Sequence, residues 1–236
     1  MFMFRLRSVA IILLASLSFC LPASAAQAAE LEPSNNHEEW TMPSAAILID
    51  AGHGGIDGGA FSDSILEKDI NLAIAQKLYL LLNSQGIPAV LNRTGDYALS
   101  DDNRWHISKS RHRRDLSQRR QLTEEIETQL LVSLHVNATR NTSKSGPLVL
   151  HQENGESALL AFCIQDTLNR QQQTSFLPRE GTPFYLLRRV NQPAVIVEMG
   201  FISNAGDRAM LTDPRQQLRI ASAIASGIRN YKWITK

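Results

Sequence analysis

Apolar residues in this chain form short unbroken runs, and these alternate with stretches in which apolar residues recur at helical spacing. Unbroken runs that are bounded by glycine, proline or polar residues are typical of strands buried on both faces. We therefore predict strands at 45–50, 87–93, 130–135, 146–152 and 193–201. The helical spacing predicts helices at 70–82, 115–128, 156–170 and 214–233.

The alternation of strands and helices predicts a single α/β domain in which a mainly parallel central sheet is flanked by helices. The carboxyl ends of parallel strands meet at one edge of such a sheet, and functional groups gather there. Three of the predicted strands reach that edge through the sequences DAGH, LH and VEMG. We therefore expect His53, His135 and Glu198 to converge in one crevice.

The first 25 residues have the pattern of a secretory signal peptide. Arg5 and Arg7 precede an apolar stretch at 8–21, which is short for a membrane span, and small residues in the A-x-A pattern follow it. We interpret the polar, proline-containing residues 26–44 as a linker and 45–236 as the folded domain. The alternative is that the leader is retained as a membrane anchor. Both interpretations predict an exported protein that acts outside the cytoplasm.

Charge and cysteine content exclude some classes of function. Lys and Arg number 24 against 23 Asp and Glu, and two of the arginines lie in the leader, so the domain is near neutral. A near-neutral chain is not typical of proteins that bind nucleic acid or coat a membrane. Of the two cysteines, Cys20 lies in the leader. The domain therefore keeps one thiol, Cys163, and no internal disulfide, and its stability must rest on its core.

Two histidines and a glutamate from separate predicted elements suit a catalytic metal. His53 lies in a glycine-rich loop, Glu67 stands at the start of a helix, and His135 ends a strand. Two imidazoles and one carboxylate form a ligand set for catalytic zinc, which keeps a fourth position open. Glu198 ends a buried run and is the candidate general base beside such a metal.

The spacing of these residues does not establish a metal site by itself, because it lacks the H-E-x-x-H or C-x-x-C regularity of common zinc motifs. Glu67 can instead be a solvated charge that favours a helix start. His53 can be a hydrogen-bonding loop residue, and His135 can be a packed side chain at a strand end.

Four segments resemble the signature segments of the zinc-dependent N-acetylmuramoyl-L-alanine amidases of the type-3 family: ILIDAGHGGIDGGA, LEKDINLAIAQKL, LLVSLHVNA and AVIVEMGFISN. They occur in the family's order over most of 46–236. The resemblance implies a single α/β domain of the phosphorylase/hydrolase-like type. It implies Zn²⁺ held by His53, Glu67 and His135, with Glu198 as the catalytic residue. It also implies the substrate, which is the peptidoglycan amide between the lactyl group of N-acetylmuramic acid and L-alanine of the stem peptide.

Within that family the chain resembles the germination-specific amidases of endospore formers, which combine an export segment with a catalytic domain and no wall-binding repeats. The segment GTPFYLLRRVNQPAVIVEMGFISN fits that subgroup. The resemblance implies a role in spore-cortex maturation and muramic δ-lactam formation, in the intermembrane space of the forespore. It leaves room for a protein that activates or localises the enzyme. The alternatives are a vegetative cell-wall amidase and a non-catalytic peptidoglycan-binding relative. A zinc peptidase acting on ordinary peptides would share the chemistry but not the four segments.

Two positions depart from the family's usual pattern. The family commonly has proline where this chain has Ala51, and threonine where it has Asn92. Neither position is a predicted metal ligand. The neighbouring Asp50 is a candidate for holding a ligand in place.

Several other polar residues have more than one interpretation. Arg119 is a candidate substrate-binding residue, with a surface ion pair as the alternative. Asn137 can bind the substrate or orient His135, with a strand-end cap as the alternative. The basic segment at 104–120 can bind an anionic wall polymer or a partner protein, or it can be a solvated face. The histidines that we do not predict as ligands are His106, His112 and His151.

Overall fold

The computed structural model of the protein describes residues 45–101 and 107–236. The predicted leader and linker at 1–44, and His106, lie outside these residues. Within them the chain forms a six-stranded sheet with helices on both faces, which confirms the predicted α/β class. The strands are β1 (Ile47–Ala51), β2 (Phe61–Ser62), β3 (Ile65–Leu66), β4 (Ala89–Leu91), β5 (Leu130–Asn137), β6 (Leu148–His151), β7 (Arg179–Glu180) and β8 (Ala194–Phe201). The helices are α1 (Glu67–Ser84), α2 (Arg111–Glu125), α3 (Gly155–Gln172), α4 (Tyr185–Arg189), α5 (Ala205–Thr212) and α6 (Pro214–Ile234), with a 3₁₀ turn at Leu99–Asp101.

The central sheet is mainly parallel, as predicted. Its strand order is β4-β1-β5-β8-β6-β7, and the first four of these strands run in one direction. Strand β6 runs antiparallel to β8, and β7 runs parallel to β6. The remaining two strands, β2 and β3, form a separate hairpin. The carboxyl ends of β1, β5 and β8 therefore meet at one edge in the middle of the sheet.

An apolar core lies on each face of the sheet. The larger core joins the sheet to α1, α3 and α6, and its fully buried members include Ile49, Leu78, Val132, Ile164 and Ile224. The smaller core lies under α2 and α4, and its members include Leu48, Leu131, Leu186 and Ile196. These layers account for the unbroken apolar runs, because the central strands are buried on both faces.

Strand alternation decides which face carries the candidate catalytic residues. Leu48 and Ile196 belong to the core under α2 and α4, so Asp50 and Glu198, two positions further along the same strands, lie on that face. His135 lies on it as well, because Leu131 of the same strand does. This face is covered by α2 and by the five-residue α4.

The elements that the sequence pattern missed are short. Strands of two residues, and helices of five or eight residues, hold too few apolar positions to show a period. Helix α2 begins at Arg111, earlier than the predicted 115, because the Ser110 side chain caps the first turn by accepting a hydrogen bond from the backbone N–H of Arg113. Part of the basic segment is therefore helical.

Residues with defined capping roles set the ends of two long helices. Helix α6 begins at Pro214, where the Asp213 side chain accepts hydrogen bonds from the backbone N–H groups of Arg215 and Gln216. Helix α1 ends before Gly86, whose φ of +72° is a conformation that favours glycine. Among the helices of the described residues, none combines the length and the apolar character needed to cross a membrane.

Candidate active site

The three predicted metal ligands lie together at the carboxyl edge of the sheet. His53 follows β1, Glu67 is the first residue of α1, and His135 lies near the end of β5. One nitrogen or oxygen atom from each residue can be chosen so that all three atoms lie within 4.8 Å of one another. The fold therefore assembles the His-Glu-His set from three separate elements, and this set can hold a metal ion.

The Glu67 carboxylate stands between the two imidazole rings. Its Oε1 lies 3.3 Å from Nε2 of His53 and 3.0 Å from Nδ1 of His135. The two rings are 5.0 Å apart between centroids and are nearly perpendicular, at 81°. Two atoms that each bind one tetrahedral zinc ion at about 2.0–2.1 Å are about 3.3 Å apart. The observed spacing therefore fits a single shared ion.

Neighbouring groups hold these side chains in place. His53 Nδ1 lies 2.9 Å from a carboxylate oxygen of Asp57, so the opposite ring nitrogen, Nε2, is turned towards Glu67. The Glu67 oxygens accept hydrogen bonds from the backbone N–H groups of Val136 and Ala60, at 2.9 and 2.7 Å. The Asn71 amide donates to Glu67 as well, at 3.3 Å. Such partners fix the orientation of metal ligands.

Asp57 and Asn71 are functional residues that the sequence analysis missed. Asp57 lies four residues after His53 in the same glycine-rich loop, and Asn71 lies four residues after Glu67 on α1. The signal for both is the spacing. A carboxylate or amide four residues from a candidate ligand can reach it, across a tight loop for Asp57 and across one helical turn for Asn71.

Charge at the cluster favours a bound cation. Burial opposes the charged form of His53, but Glu67 and then Asp57 outweigh it and raise the pKa of His53 to about 9. Burial likewise opposes ionisation of Glu67, yet hydrogen bonds and charge from His135 and His53 hold the pKa of Glu67 far below its usual range. The carboxylates therefore favour positive charge between the rings, supplied either by a proton or by a metal ion.

Glu198 stands beside the cluster. In the pairing of β5 with β8 it is the direct neighbour of His135. Its side chain is buried, and its Oε2 accepts no hydrogen bond from any described residue. Burial raises the pKa of Glu198; the charge of His135 opposes that shift, and Glu67 adds to it. A buried carboxylate oxygen without a partner is costly to the fold, and this observation points to a role in chemistry.

Arg119 is not a surface residue, so the surface ion pair expected as an alternative is wrong. Arg119 is 3% exposed, and its guanidinium forms a buried ion pair with Asp50 and a second one with Asp115. It also donates hydrogen bonds to the backbone oxygens of Ala51 and His53, at 3.0 and 2.8 Å. The guanidinium therefore ties α2 to the loop that carries His53. The predicted contact of Arg119 with substrate stays a prediction.

Asp50 forms no hydrogen bond or ion pair with His53, Glu67 or His135. Its carboxylate accepts hydrogen bonds from Ser133, Asn92 and Arg119. Burial opposes ionisation of Asp50, but Arg119 and then Ser133 hold its pKa below the usual range. Asp50 therefore acts on the His53 loop through Arg119.

Asn137 makes a local contact at the end of β5. Its side-chain oxygen accepts a hydrogen bond from the backbone N–H of Ala138 at 2.8 Å, which matches the strand-end cap that was the alternative interpretation. The predicted contact of Asn137 with substrate stays a prediction. His151 lies opposite Val195 at the other end of β8, away from the His-Glu-His cluster.

The two departures from the family pattern are physically linked. The backbone N–H of Ala51 donates a hydrogen bond to the side-chain oxygen of Asn92 at 2.9 Å. A proline at position 51 would have no N–H to donate, and a threonine at position 92 would present a shorter side chain. The two residues therefore form one interaction that supports the start of the His53 loop.

Replacing Gly52 by alanine should weaken binding of a divalent metal by at least about tenfold, the scale seen when the support of a ligand is lost. A Cβ atom at Gly52 would lie 2.4–2.8 Å from three atoms of the His135 ring, so the ring must move. Gly58→Ala in the same loop is the matched control, because its Cβ would come no closer than 3.5 Å to Leu66. Competition against a metal chelator measures both affinities. Equal affinities for the two variants would contradict the assignment of His135 as a ligand.

Comparison with known proteins identifies the family to which this chain belongs. A family model described as N-acetylmuramoyl-L-alanine amidase matches residues 47–230. The germination-specific N-acetylmuramoyl-L-alanine amidase of Bacillus subtilis (strain 168) is 33% identical over 204 residues, which cover 84% of this chain and 86% of the relative.

Solved structures agree with that match. The CwlD amidase of Clostridioides difficile, solved in complex with the GerS lipoprotein, is 34% identical, with a TM-score of 0.75 over 80% of this chain and 98% of that one. The catalytic domain of CwlV, an N-acetylmuramoyl-L-alanine amidase from Bacillus (Paenibacillus) polymyxa var. colistinus, is 30% identical, with a TM-score of 0.68 over 80% of this chain and 99% of that one. The resemblance inferred from four sequence segments is thereby confirmed, and the chain belongs to the N-acetylmuramoyl-L-alanine amidase family.

Proposed function

We propose that this chain is a zinc-dependent hydrolase that cleaves the peptidoglycan amide between the lactyl group of N-acetylmuramic acid and L-alanine of the stem peptide. The observation that carries the proposal is the position of Glu198, a buried carboxylate with an unpartnered oxygen beside a His-Glu-His cluster. The ligand atoms offered are two imidazole nitrogens and one carboxylate oxygen, a donor set that suits catalytic zinc.

In this proposal His53, Glu67 and His135 hold the zinc ion. When bound, zinc supplies a Lewis acid that makes water nucleophilic near neutral pH and stabilises negative charge on the carbonyl oxygen. Glu198 accepts a proton from the attacking water at its carboxylate. It then delivers that proton to the nitrogen of the departing L-alanine, since a free amine leaves more readily than an amide anion. The raised pKa of Glu198 suits a group that must both take up and release a proton.

We further propose that the enzyme acts in maturation of the spore cortex, where removal of stem peptides precedes formation of muramic δ-lactam. The germination-specific relative in Bacillus subtilis supports this role. The alternative is an amidase of the vegetative cell wall, and it is supported by a 28% identical relative from Staphylococcus aureus described as a probable cell wall amidase.

A partner protein and export are part of the proposal. The CwlD amidase of Clostridioides difficile was solved together with a lipoprotein, which supports a protein that localises or activates this chain as well. Residues 1–25 serve as the secretory signal or anchor, 26–44 as a linker and 45–236 as the catalytic domain. The enzyme then acts on peptidoglycan outside the cytoplasm.

Purified protein should contain about one zinc ion per chain, the stoichiometry of a catalytic zinc site. It should release stem peptides that carry a free L-alanine amine. Metal analysis checks the first expectation, and mass spectrometry of products from cortex and from vegetative peptidoglycan checks the second. The control is His53→Ala, which should lose zinc and activity together. A fully zinc-loaded His53→Ala protein would show that the ligand set is wrong. Zinc binding without release from either wall would point to a missing activating partner or to the non-catalytic peptidoglycan-binding relative.

A further inference from the structure

His53 has a backbone conformation that residues other than glycine rarely adopt. Its φ is +60°, and the next two residues, Gly54 and Gly55, have φ values of +141° and +57°. Positive φ is accessible to glycine at little cost but is unfavourable for histidine. A residue keeps such a conformation only where the surrounding contacts determine it. The contacts that hold this loop therefore decide how His53 is placed beside Glu67.

Two charged side chains hold Gly55 from both sides. Its backbone N–H donates a hydrogen bond to a carboxylate oxygen of Asp96 at 2.8 Å, and its backbone oxygen accepts one from Lys68 Nζ at 2.7 Å. Lys68 Nζ also donates to the other carboxylate oxygen of Asp96, at 2.7 Å. Asp96 and Lys68 thus form a clamp on Gly55, two residues after His53.

The clamp acts on His53 through the turn that follows it. Gly54 and Asp57 exchange two backbone hydrogen bonds, at 2.9 and 3.1 Å, so Gly55 lies within a closed turn. The Asp57 carboxylate lies 2.9 Å from His53 Nδ1. Because Gly55 cannot move without opening this turn, the clamp fixes both the backbone of His53 and the carboxylate that orients its ring.

Arg93 joins the segments that meet at the clamp. It is 1% exposed, and within the described residues it forms no ion pair with a carboxylate. Its guanidinium instead donates hydrogen bonds to the backbone oxygens of Gly52, Lys68 and Gly95, at 3.2, 2.8 and 3.0 Å. These oxygens belong to the loop after β1, the first turn of α1 and the loop after β4. Arg93 therefore fixes the clamp relative to the two elements that carry the first two ligands.

The clamp adds little to the stability of the fold. The Asp96 side chain is 49% exposed, and ion pairs that water reaches contribute little to the free energy of unfolding. Loss of Asp96 would also release a loop whose backbone conformation is unfavourable, which offsets the lost hydrogen bonds. An exposed side chain that adds little to stability, yet fixes the loop of a metal ligand, points to a role at the site.

We propose that Asp96 is a positioning residue, which acts through Lys68 and Gly55 to hold His53 in place for binding the metal ion. This inference rests on the proposed amidase function and identifies what keeps one of its ligands in position. Lys68 directly follows Glu67 on α1. The clamp therefore also sets the distance between the loop that carries one ligand and the helix that carries the next.

The test measures the affinity of the full chain for Zn²⁺ by competition with a chelator, and it compares Asp96→Ala with Lys68→Met. Each substitution opens the clamp and should weaken zinc binding at least about tenfold, the scale seen when partners of metal ligands are lost. The two substitutions remove opposite charges near the site. A purely electrostatic effect would weaken zinc binding in Asp96→Ala and strengthen it in Lys68→Met. The double variant should bind zinc no more weakly than the weaker single variant, because both substitutions open the same clamp.

Asp69→Ala is the matched control, because it removes an exposed negative charge from the same turn of α1. It should leave the zinc affinity within a few fold of that of the unsubstituted chain. Urea denaturation of the metal-free proteins should give nearly the same midpoint for Asp96→Ala and the unsubstituted chain.

Unchanged zinc affinity in Asp96→Ala, or tighter zinc binding in Lys68→Met, would overturn the inference. A urea midpoint that falls together with the zinc affinity in Asp96→Ala would also overturn it, because Asp96 would then support the fold as a whole. Failure of the proposed function is distinguished separately, by absence of amide cleavage in the unsubstituted chain, whereas the zinc affinities alone decide the positioning role.

Discussion

Replacing Glu198 by glutamine should lower the rate of amide hydrolysis by about 10²- to 10⁴-fold, the range of positioned general acid–base catalysis. Glutamine has nearly the shape of glutamate but cannot take up the proton of the attacking water. The three predicted ligands do not depend on Glu198 for their hydrogen bonds. The zinc content of the variant should therefore equal that of the unsubstituted protein.

The stability of Glu198→Gln should move in the opposite direction from its activity. Burial raises the pKa of Glu198 in the folded state, so its ionised form is less favourable in the folded chain than in the unfolded chain. This cost is present at neutral pH and disappears as the pH falls and the carboxyl becomes protonated. Removing the charge should leave the free energy of unfolding of the metal-free protein at pH 7 equal or higher.

Initial rates on a soluble muramyl peptide measure the activity of the variant. Metal analysis measures its zinc content, and urea denaturation measures its free energy of unfolding. Glu153→Gln makes the same chemical change at an exposed position, and it should change none of them. If Glu198→Gln retained activity within a few fold, Glu198 would not be the proton carrier.

Replacing Arg119 by leucine should lower the free energy of unfolding by about 3–5 kcal/mol, because breaking a buried ion pair leaves the partner charge without compensation. The side chains of Arg119 and Asp50 are 4% and 1% exposed. Leucine also removes the hydrogen bond that the backbone oxygen of His53 accepts from Arg119. The backbone oxygen of Ala51 loses Arg119 as well but still accepts from Arg93. Urea denaturation at pH 7 measures the loss.

The stability loss caused by Arg119→Leu should depend on pH, because Arg119 influences the pKa of Asp50. In the unsubstituted protein Arg119 helps to hold the pKa of Asp50 below its usual value, so Asp50 contributes stability that is lost as the pH falls. Without Arg119, burial dominates and the pKa of Asp50 rises. The charged form is then unfavourable at neutral pH, and acidification protonates it. The difference in stability between the two proteins should therefore be largest near pH 7 and shrink towards acidic pH.

Two further variants separate this explanation from a simple loss of packing. Asp50→Asn combined with Arg119→Leu removes both charges and should recover part of the loss. Arg170→Leu breaks an ion pair with Asp166 on the exposed surface of α3, and it should cost no more than about 1 kcal/mol. If Arg119→Leu also lowered the free energy of unfolding by no more than about 1 kcal/mol, the ion pair with Asp50 would not stabilise the fold.

The coupling of Ala51 with Asn92 illustrates the limit of reading a sequence position by position. Each residue is an isolated departure from the family pattern, 41 residues apart along the chain. The hydrogen bond between them becomes visible when β1 and β4 lie side by side. Pairing across a sheet is set by which strands become neighbours, and a local pattern carries no such information.

Features that depend on local order along the chain could be predicted from the sequence. Unbroken apolar runs and helical spacing predicted the long strands and helices, because burial of one face or both imposes its period on the residues. The rule that functional groups gather at strand carboxyl ends then predicted that His53, His135 and Glu198 would lie together. Glu67, at the start of a predicted helix, completed a possible zinc ligand set with the two histidines, and the resemblance to the amidases implied the same set.

Features that depend on contacts between distant segments became visible only in the folded chain. Folding buried Arg119 against Asp50, placed the Glu67 carboxylate between two imidazoles, and left Glu198 Oε2 without a partner among the described residues. It also set β6 antiparallel to β8. A charged residue in a helix has the same sequence pattern whether it faces solvent or the core, and the difference arises from what packs against it.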